Sequence, residues 1–252
     1  MTVLASSAVL TAFLIFCRVG ACFMVIPGFS SARVPMQVRL VLVAAISLSL
    51  APLFWGTSAV PGNMPVGQLA QAIGAELTIG ASIGLVARLY VLAIGFIGTS
   101  IAMSIGLSGI AGAAIDEAEA QAPLANLISL SVLLILFIAD FHHVVLRALA
   151  GSYDLLPVTQ FPDVRVLLVN LTDTLTNGFT IALRLGSPFI AYAIIANLTV
   201  GILNKLTPQI PVYFVSLPFI ICGGLALMYF SFPSLLSLAA DGFLEIFGRG
   251  QP

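Results

Sequence analysis

Long stretches without a charged side chain dominate the pattern of this sequence. Residues 40–75, 89–115, 120–139, 185–204 and 206–240 contain no Asp, Glu, Lys or Arg. About 20 apolar residues are enough for a helix to cross a bilayer. The pattern therefore predicts an all-α integral membrane protein of helical hairpins, with about six hydrophobic segments.

The boundaries between these segments follow from polar residues and helix breakers. The first segment covers 3–26, the second 40–55, and residues 124–150 have the pattern of one continuous helix. The run 69–110 is too long for one crossing, because 42 helical residues rise about 63 Å against a hydrocarbon core of about 30 Å. We expect that run either to break or to leave the bilayer.

The most polar part of the chain, residues 151–177, divides it into a front part and a rear part. The front part covers residues 1–150. The rear part, 178–252, consists of a helical hairpin and a short tail, with the hairpin turning near residues 204–211. We treat the whole chain as one subunit with these two parts.

Composition and charge narrow the class further. The chain is 60% hydrophobic and 8% charged, whereas soluble domains carry about 25% charged residues. A net charge of -1 gives no basic field for nucleic acid or anionic lipid. Counting basic residues by predicted side gives a tie, so the positive-inside rule assigns no orientation. The residues on the two sides are Arg33, Arg39 and Lys205 against Arg147, Arg165 and Arg249.

One segment, residues 103–123, differs from every other part of the chain. Its sequence is M-S-I-G-L-S-G-I-A-G-A-A-I-D-E-A-E-A-Q-A-P, with glycines at a three-residue period followed by acidic residues. Small residues of this kind weaken a helix and permit close backbone approach. We predict a functional loop here, marked by Met103, Gly106, Gly109, Gly112, Asp116, Glu117, Glu119 and Pro123.

Ionisable residues within apolar helices are by default functional candidates. Arg18 is one, and its alternative role is an interhelical partner or a side chain that reaches the interface. Glu76 and Arg88 are about 18 Å apart along a helix, so each needs another partner. Gly80 and Gly84 form a G-x-x-x-G that permits close helix contact.

The spacing of the histidines and the absence of common enzyme motifs both predict a non-enzymatic role. Asp140 and His143 lie three residues apart and can meet on one helix face, and we expect a structural polar contact there, with a proton relay as the alternative. No further ligands stand at a suitable spacing, so we predict no metal site. Phosphate-binding, dinucleotide-binding and nucleophile-elbow motifs are absent from the sequence, and we predict no cofactor and no enzymatic activity.

Seven motifs in a fixed order resemble the FliR family of flagellar export-gate proteins over nearly the whole chain. These motifs are FLIFCRVG at 13–20, VPMQVRLVL at 34–42, SLAP at 49–52, MSIGLSG at 103–109, FIADFHHVVLRAL at 137–149, YDLLP at 153–157, and NLTVGILNKLTPQ at 197–209. The resemblance implies a helical subunit that joins FliP and FliQ in a type III export gate of the bacterial inner membrane, within the flagellar basal body. It also implies FlhA-like and FlhB-like partners and unfolded exported proteins as substrates.

The same resemblance implies roles for parts of the chain. The front part is similar to a FliP subunit and the rear hairpin to a FliQ subunit, in an assembly that stands largely above the membrane plane. The loop at 103–123 would help to plug the pore, with Asp116-Glu117 where the family usually has Asp-Pro. Its acidic residues either tune the closed state or keep the loop's wet end soluble. Helix or subunit contacts are implied at Arg18, Arg39, Asp140, His142, Asn197, Pro208 and Gln209.

Two other interpretations fit parts of the pattern. An injectisome export-gate subunit, from the related virulence-type systems, would share the resemblance. A secondary transporter would use a broken helix near 106–112 and the intramembrane charges Arg18, Arg88, Asp140 and Arg184.

Overall fold

The computed structural model describes residues 2–31, 34–54, 64–107, 123–158 and 160–249. Within these ranges the chain is helical and has no strand, which confirms the predicted all-α class. The helices are α1 Thr2–Val25, α2 Met36–Phe54, α3 Val66–Ser104, α4 Pro123–Ile138, α5 Phe141–Leu155, α6 Val164–Leu206 and α7 Val212–Arg249.

Five of these helices, α1, α2, α3, α6 and α7, are long and apolar enough to cross a membrane. Counting α4 and α5 as one span gives six, in agreement with the predicted number. The third run, 69–110, breaks only near its end, where Gly106 has φ 80. Before that break, α3 is continuous over 39 residues, up to Ser104. At 1.5 Å per residue it is about 58 Å long, so part of it lies beyond a single hydrocarbon core of about 30 Å.

The prediction of one continuous helix over 124–150 was wrong. Helix α4 ends at Ile138, and Asp140 has left-handed backbone angles, φ 56 and ψ 33, before α5 begins. The Asp140 carbonyl then accepts the N–H of His143 at 2.9 Å, which starts the new helix. Hydrophobic periodicity does not reveal this helix break, because one left-handed residue alters the helix direction without altering the apolar content of the residues on either side.

The helices group into two compact units, neither of which is a single stretch of chain. The first contains residues 1–90, 140–176 and 244–252, and the second contains 91–139 and 177–243. The predicted polar connection at 151–177 is the end of α5, a short link and the first turns of α6. The division into a FliP-like and a FliQ-like part stays a prediction.

In the first unit, α3 packs directly on the backbone of α1. A Cβ atom at Gly80 would collide with the carbonyl oxygen of Arg18, and one at Gly84 would lie 2.7 Å from the carbonyl oxygen of Cys22. Real Cβ atoms do not approach a carbonyl oxygen this closely at either position. The predicted close contact of the G-x-x-x-G motif is therefore confirmed.

In the second unit, small residues again set the helix spacing. Gly98 of α3 faces Ile128 and Ala125 of α4, while Gly186 of α6 faces Ile97. Helix α4 buries one stripe at helical spacing, Ala125, Ile128, Val132 and Leu136. Its opposite side is also apolar and is exposed, so α4 has no polar face.

Replacing Gly80 by alanine should lower the free energy of unfolding by about 1–3 kcal/mol, because the added methyl group meets a backbone carbonyl that has no freedom to rotate away. The measurement is equilibrium unfolding of the full-length protein in detergent.

Gly74→Ala is the matched control on the same helix, since a Cβ there meets nothing within 4 Å. Alanine is the better helix former by up to about 1 kcal/mol, so this control should be neutral or stabilising. Equal stability of the two variants would show that the close contact does not constrain the fold.

Candidate functional site

A buried ion pair lies at the centre of the first unit. Arg18 of α1 and Glu76 of α3 are both 0% exposed. The Arg18 Nε donates to Glu76 Oε2 at 2.6 Å, and Nη2 donates to Oε1 at 3.0 Å. This is a bidentate pair, the geometry in which guanidinium and carboxylate bind most strongly.

The rest of the Arg18 guanidinium is held by the C-terminal part of α5 and the residue that follows it. Nη1 donates to the Ser152 hydroxyl at 2.9 Å, and Nη2 donates to the Leu156 carbonyl at 3.0 Å. The Arg18 Cζ lies 3.8 Å from the centre of the Tyr153 ring, which is cation-π distance. We call these residues, Arg18, Glu76, Ser152, Tyr153 and Leu156, the Arg18 cluster.

The Arg18 cluster also reaches α2. The Tyr153 ring packs against Phe54 with ring centres 4.4 Å apart. Side chains from four helices, α1, α2, α3 and α5, therefore converge on one charge-neutral centre. The interhelical role of Arg18 is confirmed, and Glu76 has the partner that the sequence required.

This geometry holds helices together and offers no reaction site. Arg18 and Glu76 are buried from solvent, and the N–H groups of the Arg18 guanidinium already donate to the carboxylate, a hydroxyl and a carbonyl. A substrate has no open position beside either charge. The cluster is therefore a structural centre.

Arg39 stabilises the connection between α1 and α2. Its Nη2 donates to the carbonyl of Ser31 at 2.6 Å and to that of Val34 at 2.9 Å. These two residues border the connection on either side of positions 32–33. Arg39 thus makes a contact within its own chain, and its predicted contact with another subunit stays a prediction.

The predicted loop is described only at its ends. Met103 is exposed near the end of α3, and Gly106 follows with φ 80, a conformation that favours glycine. Pro123 starts α4, the helix position at which proline is well tolerated. The remaining predicted loop residues lie outside the described residues, namely Gly109, Gly112, Asp116, Glu117 and Glu119.

The predicted contact residues of the rear hairpin lie on its surface. Asn197 is exposed on α6, and its Nδ2 donates to the carbonyl of Ala193 at 2.8 Å. Pro208 and Gln209 are exposed in the turn between α6 and α7. Nothing in this geometry tests a subunit contact at these positions.

Asp140 meets two histidines at the start of α5. The Asp140 Oδ1 lies 3.4 Å from His143 Nδ1 and 3.8 Å from His142 Nε2. The predicted contact between Asp140 and His143 is confirmed. His142 was assigned a helix or subunit contact from the resemblance alone, and the structure adds its place beside Asp140.

Three members of the Arg18 cluster were missed from the sequence, namely Ser152, Tyr153 and Leu156. They lie more than 130 positions from Arg18 along the chain, and nothing local links them to it. Tyr153 and Leu156 do belong to one of the seven quoted motifs, which marked the segment without showing its partner.

Arg18→Met or Glu76→Met should each lower the free energy of unfolding by about 3–5 kcal/mol, because either change leaves one buried charge unpaired. The double variant Arg18→Met, Glu76→Met should lose much less than the sum, since no unpaired charge remains. The measurement is equilibrium unfolding, in mixed detergent micelles, of the original protein, the two single variants and the double variant. The four free energies of unfolding complete a double-mutant cycle.

Arg88→Met is the matched control, since Arg88 is an exposed arginine on α3. Its stability should stay close to that of the original protein. Additive effects of the two single changes would be incompatible with a coupled buried pair.

Comparison with known proteins connects this geometry to a family. The sequence model of the bacterial export proteins, family 1, matches residues 9–246. The flagellar biosynthetic protein FliR of Caulobacter vibrioides is 28% identical over 239 residues, covering 94% of each chain. The protein of the same name from Bacillus subtilis is 27% identical over 81% of this chain and 79% of its own.

A third relative is similar along most of the chain. The flagellar biosynthetic protein FliR of Escherichia coli K12 is 26% identical over 235 residues, covering 91% of this chain and 87% of its own. The family match includes α2 to α6 in full, α1 from residue 9 onwards and α7 up to residue 246. This chain belongs to the bacterial export proteins, family 1.

Proposed function

We propose that this chain is a non-enzymatic subunit of the flagellar type III protein export gate in the bacterial inner membrane. In this proposal it forms, with FliP-like and FliQ-like subunits, the pore through which unfolded flagellar proteins leave the cytoplasm. FlhA-like and FlhB-like components belong to the same apparatus. The observation that carries the proposal is the likeness to flagellar relatives along almost the entire chain.

The lengths of the apolar helices support an assembly of several subunits. Helix α6 has 43 residues and α7 has 38, so they are about 65 Å and 57 Å long. Even a tilt of 40° accommodates only about 39 Å of helix within a 30 Å hydrocarbon core. The remaining length of each helix needs protein or water around it.

Water is an unfavourable environment for the part of α6 that lies outside the hydrocarbon core, because apolar side chains are exposed from one end of this helix to the other. Exposed large hydrophobic residues begin at Val164 and end at Leu206. The most apolar windows of α6 and α7 are each only 17% buried within the chain, against 39% for α1 and α3. Contacts with other apolar subunits would cover the surface that lipid does not reach.

The loop at 103–123 is proposed to close the pore. Its glycines and alanines provide few bulky side chains, so a passing polypeptide would displace the loop at small cost. The left-handed turn at Gly106 and the fixed start at Pro123 anchor its two ends. The loop would therefore occupy a narrow lumen without being bound tightly there.

A secondary transporter is disfavoured by the buried contact of Arg18. The transporter hypothesis needs Arg18 as a site for substrate or protons, yet Arg18 is fully buried and paired with Glu76. The relatives described above carry flagellar names, which favours the flagellar gate over an injectisome gate.

Replacing Phe219 and Phe230 of α7 by serine should reduce co-purification with FliP-like and FliQ-like subunits, because these rings are 75% and 78% exposed and are proposed to be covered by neighbours. The measurement is capture of the tagged full-length chain from membranes, followed by quantification of both partners, alongside swimming motility.

Stability of the captured chain is the control for this experiment. Two exposed side chains contribute little to packing within the chain, so its unfolding should not change. A chain that never captures these partners, even without the substitutions, would refute the proposed gate.

Deleting residues 106–121 in frame should make the assembled gate leak ions, because the deletion removes the segment proposed to fill the lumen. Conductance of the purified gate in planar bilayers measures this directly. If the gate with the deletion assembles normally and stays impermeable to ions, the plug hypothesis is wrong.

A triple variant, Asp116→Asn, Glu117→Gln, Glu119→Gln, keeps the length of the loop and removes its charge. If these residues only keep the wet end of the loop soluble, the conductance should equal that of the original gate. An increased conductance would instead assign them to the closed state.

A further inference from the structure

Three metal-binding side chains meet at the start of α5. One ligand atom from each of Asp140, His142 and His143 can be chosen so that all three lie within 4.8 Å of one another. The Asp140 carboxylate is 3.4 Å from His143 Nδ1 and 3.8 Å from His142 Nε2. We call these residues the Asp140 group.

The break between α4 and α5 creates the Asp140 group. In a continuous helix, residues two positions apart point to different faces, so Asp140 and His142 would not meet. Asp140 instead has φ 56 and is the one non-glycine residue with positive φ in the described part of the chain. That conformation costs about 1–2 kcal/mol and brings the carboxylate to both imidazole rings.

The spacing suits a small transition-metal ion. Ligand bonds to zinc are about 2.0–2.2 Å, so ligands at the corners of a tetrahedron lie about 3.3 Å apart. The distance from Asp140 to His143 already has nearly this value. The other separations close by rotation of side chains, since Asp140 and His143 are exposed and His142 is partly exposed.

The donor set also indicates the kind of ion. Two imidazole nitrogens and one carboxylate suit zinc, nickel, cobalt or copper, whereas calcium and magnesium prefer oxygen ligands alone. Three protein ligands leave at least one position for water. Affinity should be modest, because the N-terminus of a helix and the nearby Arg147 both disfavour a cation.

We propose that Asp140, His142 and His143 form a three-ligand site for a divalent transition-metal ion, with zinc as its reference ligand. This proposal does not depend on the export function. It replaces our sequence-based expectation of no metal, because the turn at Asp140 adds the third ligand that helical periodicity did not supply.

The test uses the full-length protein, purified in detergent with a tag that lacks histidine and stripped of metal. Zinc is titrated in competition with a chromophoric chelator. We expect one saturable equivalent with a dissociation constant in the micromolar range. Cobalt should occupy the same site and give a visible absorption band of a low-coordinate nitrogen and oxygen complex.

We expect zinc affinity to fall by at least about tenfold in each of three variants, Asp140→Asn, His142→Ala and His143→Ala. Removing a group that only hydrogen-bonds to a metal ligand already lowers metal affinity about tenfold or more, so removing a ligand itself should lower it at least as much. Asp154→Asn is the matched control, because it removes another exposed carboxylate from the same helix. It should leave the affinity unchanged.

Two results would overturn the proposal. One is the absence of a saturable equivalent at millimolar zinc, and the other is an affinity that His142→Ala and His143→Ala leave unchanged. Metal-free melting curves check that each variant is folded. Zinc should raise the melting temperature of the original protein and of Asp154→Asn, but not of the three ligand variants.

Discussion

The buried pair of Arg18 and Glu76 is the interaction on which the first unit depends. An uncompensated charge in an apolar interior costs several kcal/mol, so each charged group requires the other and the remaining guanidinium hydrogens require acceptors. Ser152 and Leu156 provide those acceptors. Helices α1, α3 and α5 therefore assemble around a single electrostatic requirement.

The pair and the glycine contact belong to one face of α3. Gly80 lies one turn after Glu76 and touches the carbonyl of Arg18, and Gly84 lies one turn further and touches that of Cys22. Small residues let the backbones approach, and close approach allows the short hydrogen bonds of the pair. A side chain at Gly80 would separate the helices and lengthen those bonds.

Sequence reasoning reached some parts of this site and not others, for physical reasons. The apolar runs and the G-x-x-x-G motif are local signals, and both predicted real features. Arg18 and Glu76 were each recognised as needing a partner, because charge in an apolar helix is costly. Their pairing joins positions 58 apart and was not predictable, since many distant polar groups were chemically equivalent candidates.

The sequence by itself determined the helical membrane class, the number of segments and the family resemblance, because each is written in composition, periodicity and motif order. Tertiary structure decided which charges meet and where the helix over 124–150 ends. The left-handed conformation of Asp140 leaves no mark in hydropathy, yet it places a carboxylate beside two histidines. Contacts between distant segments form only when the helices pack together, so only the tertiary structure shows them.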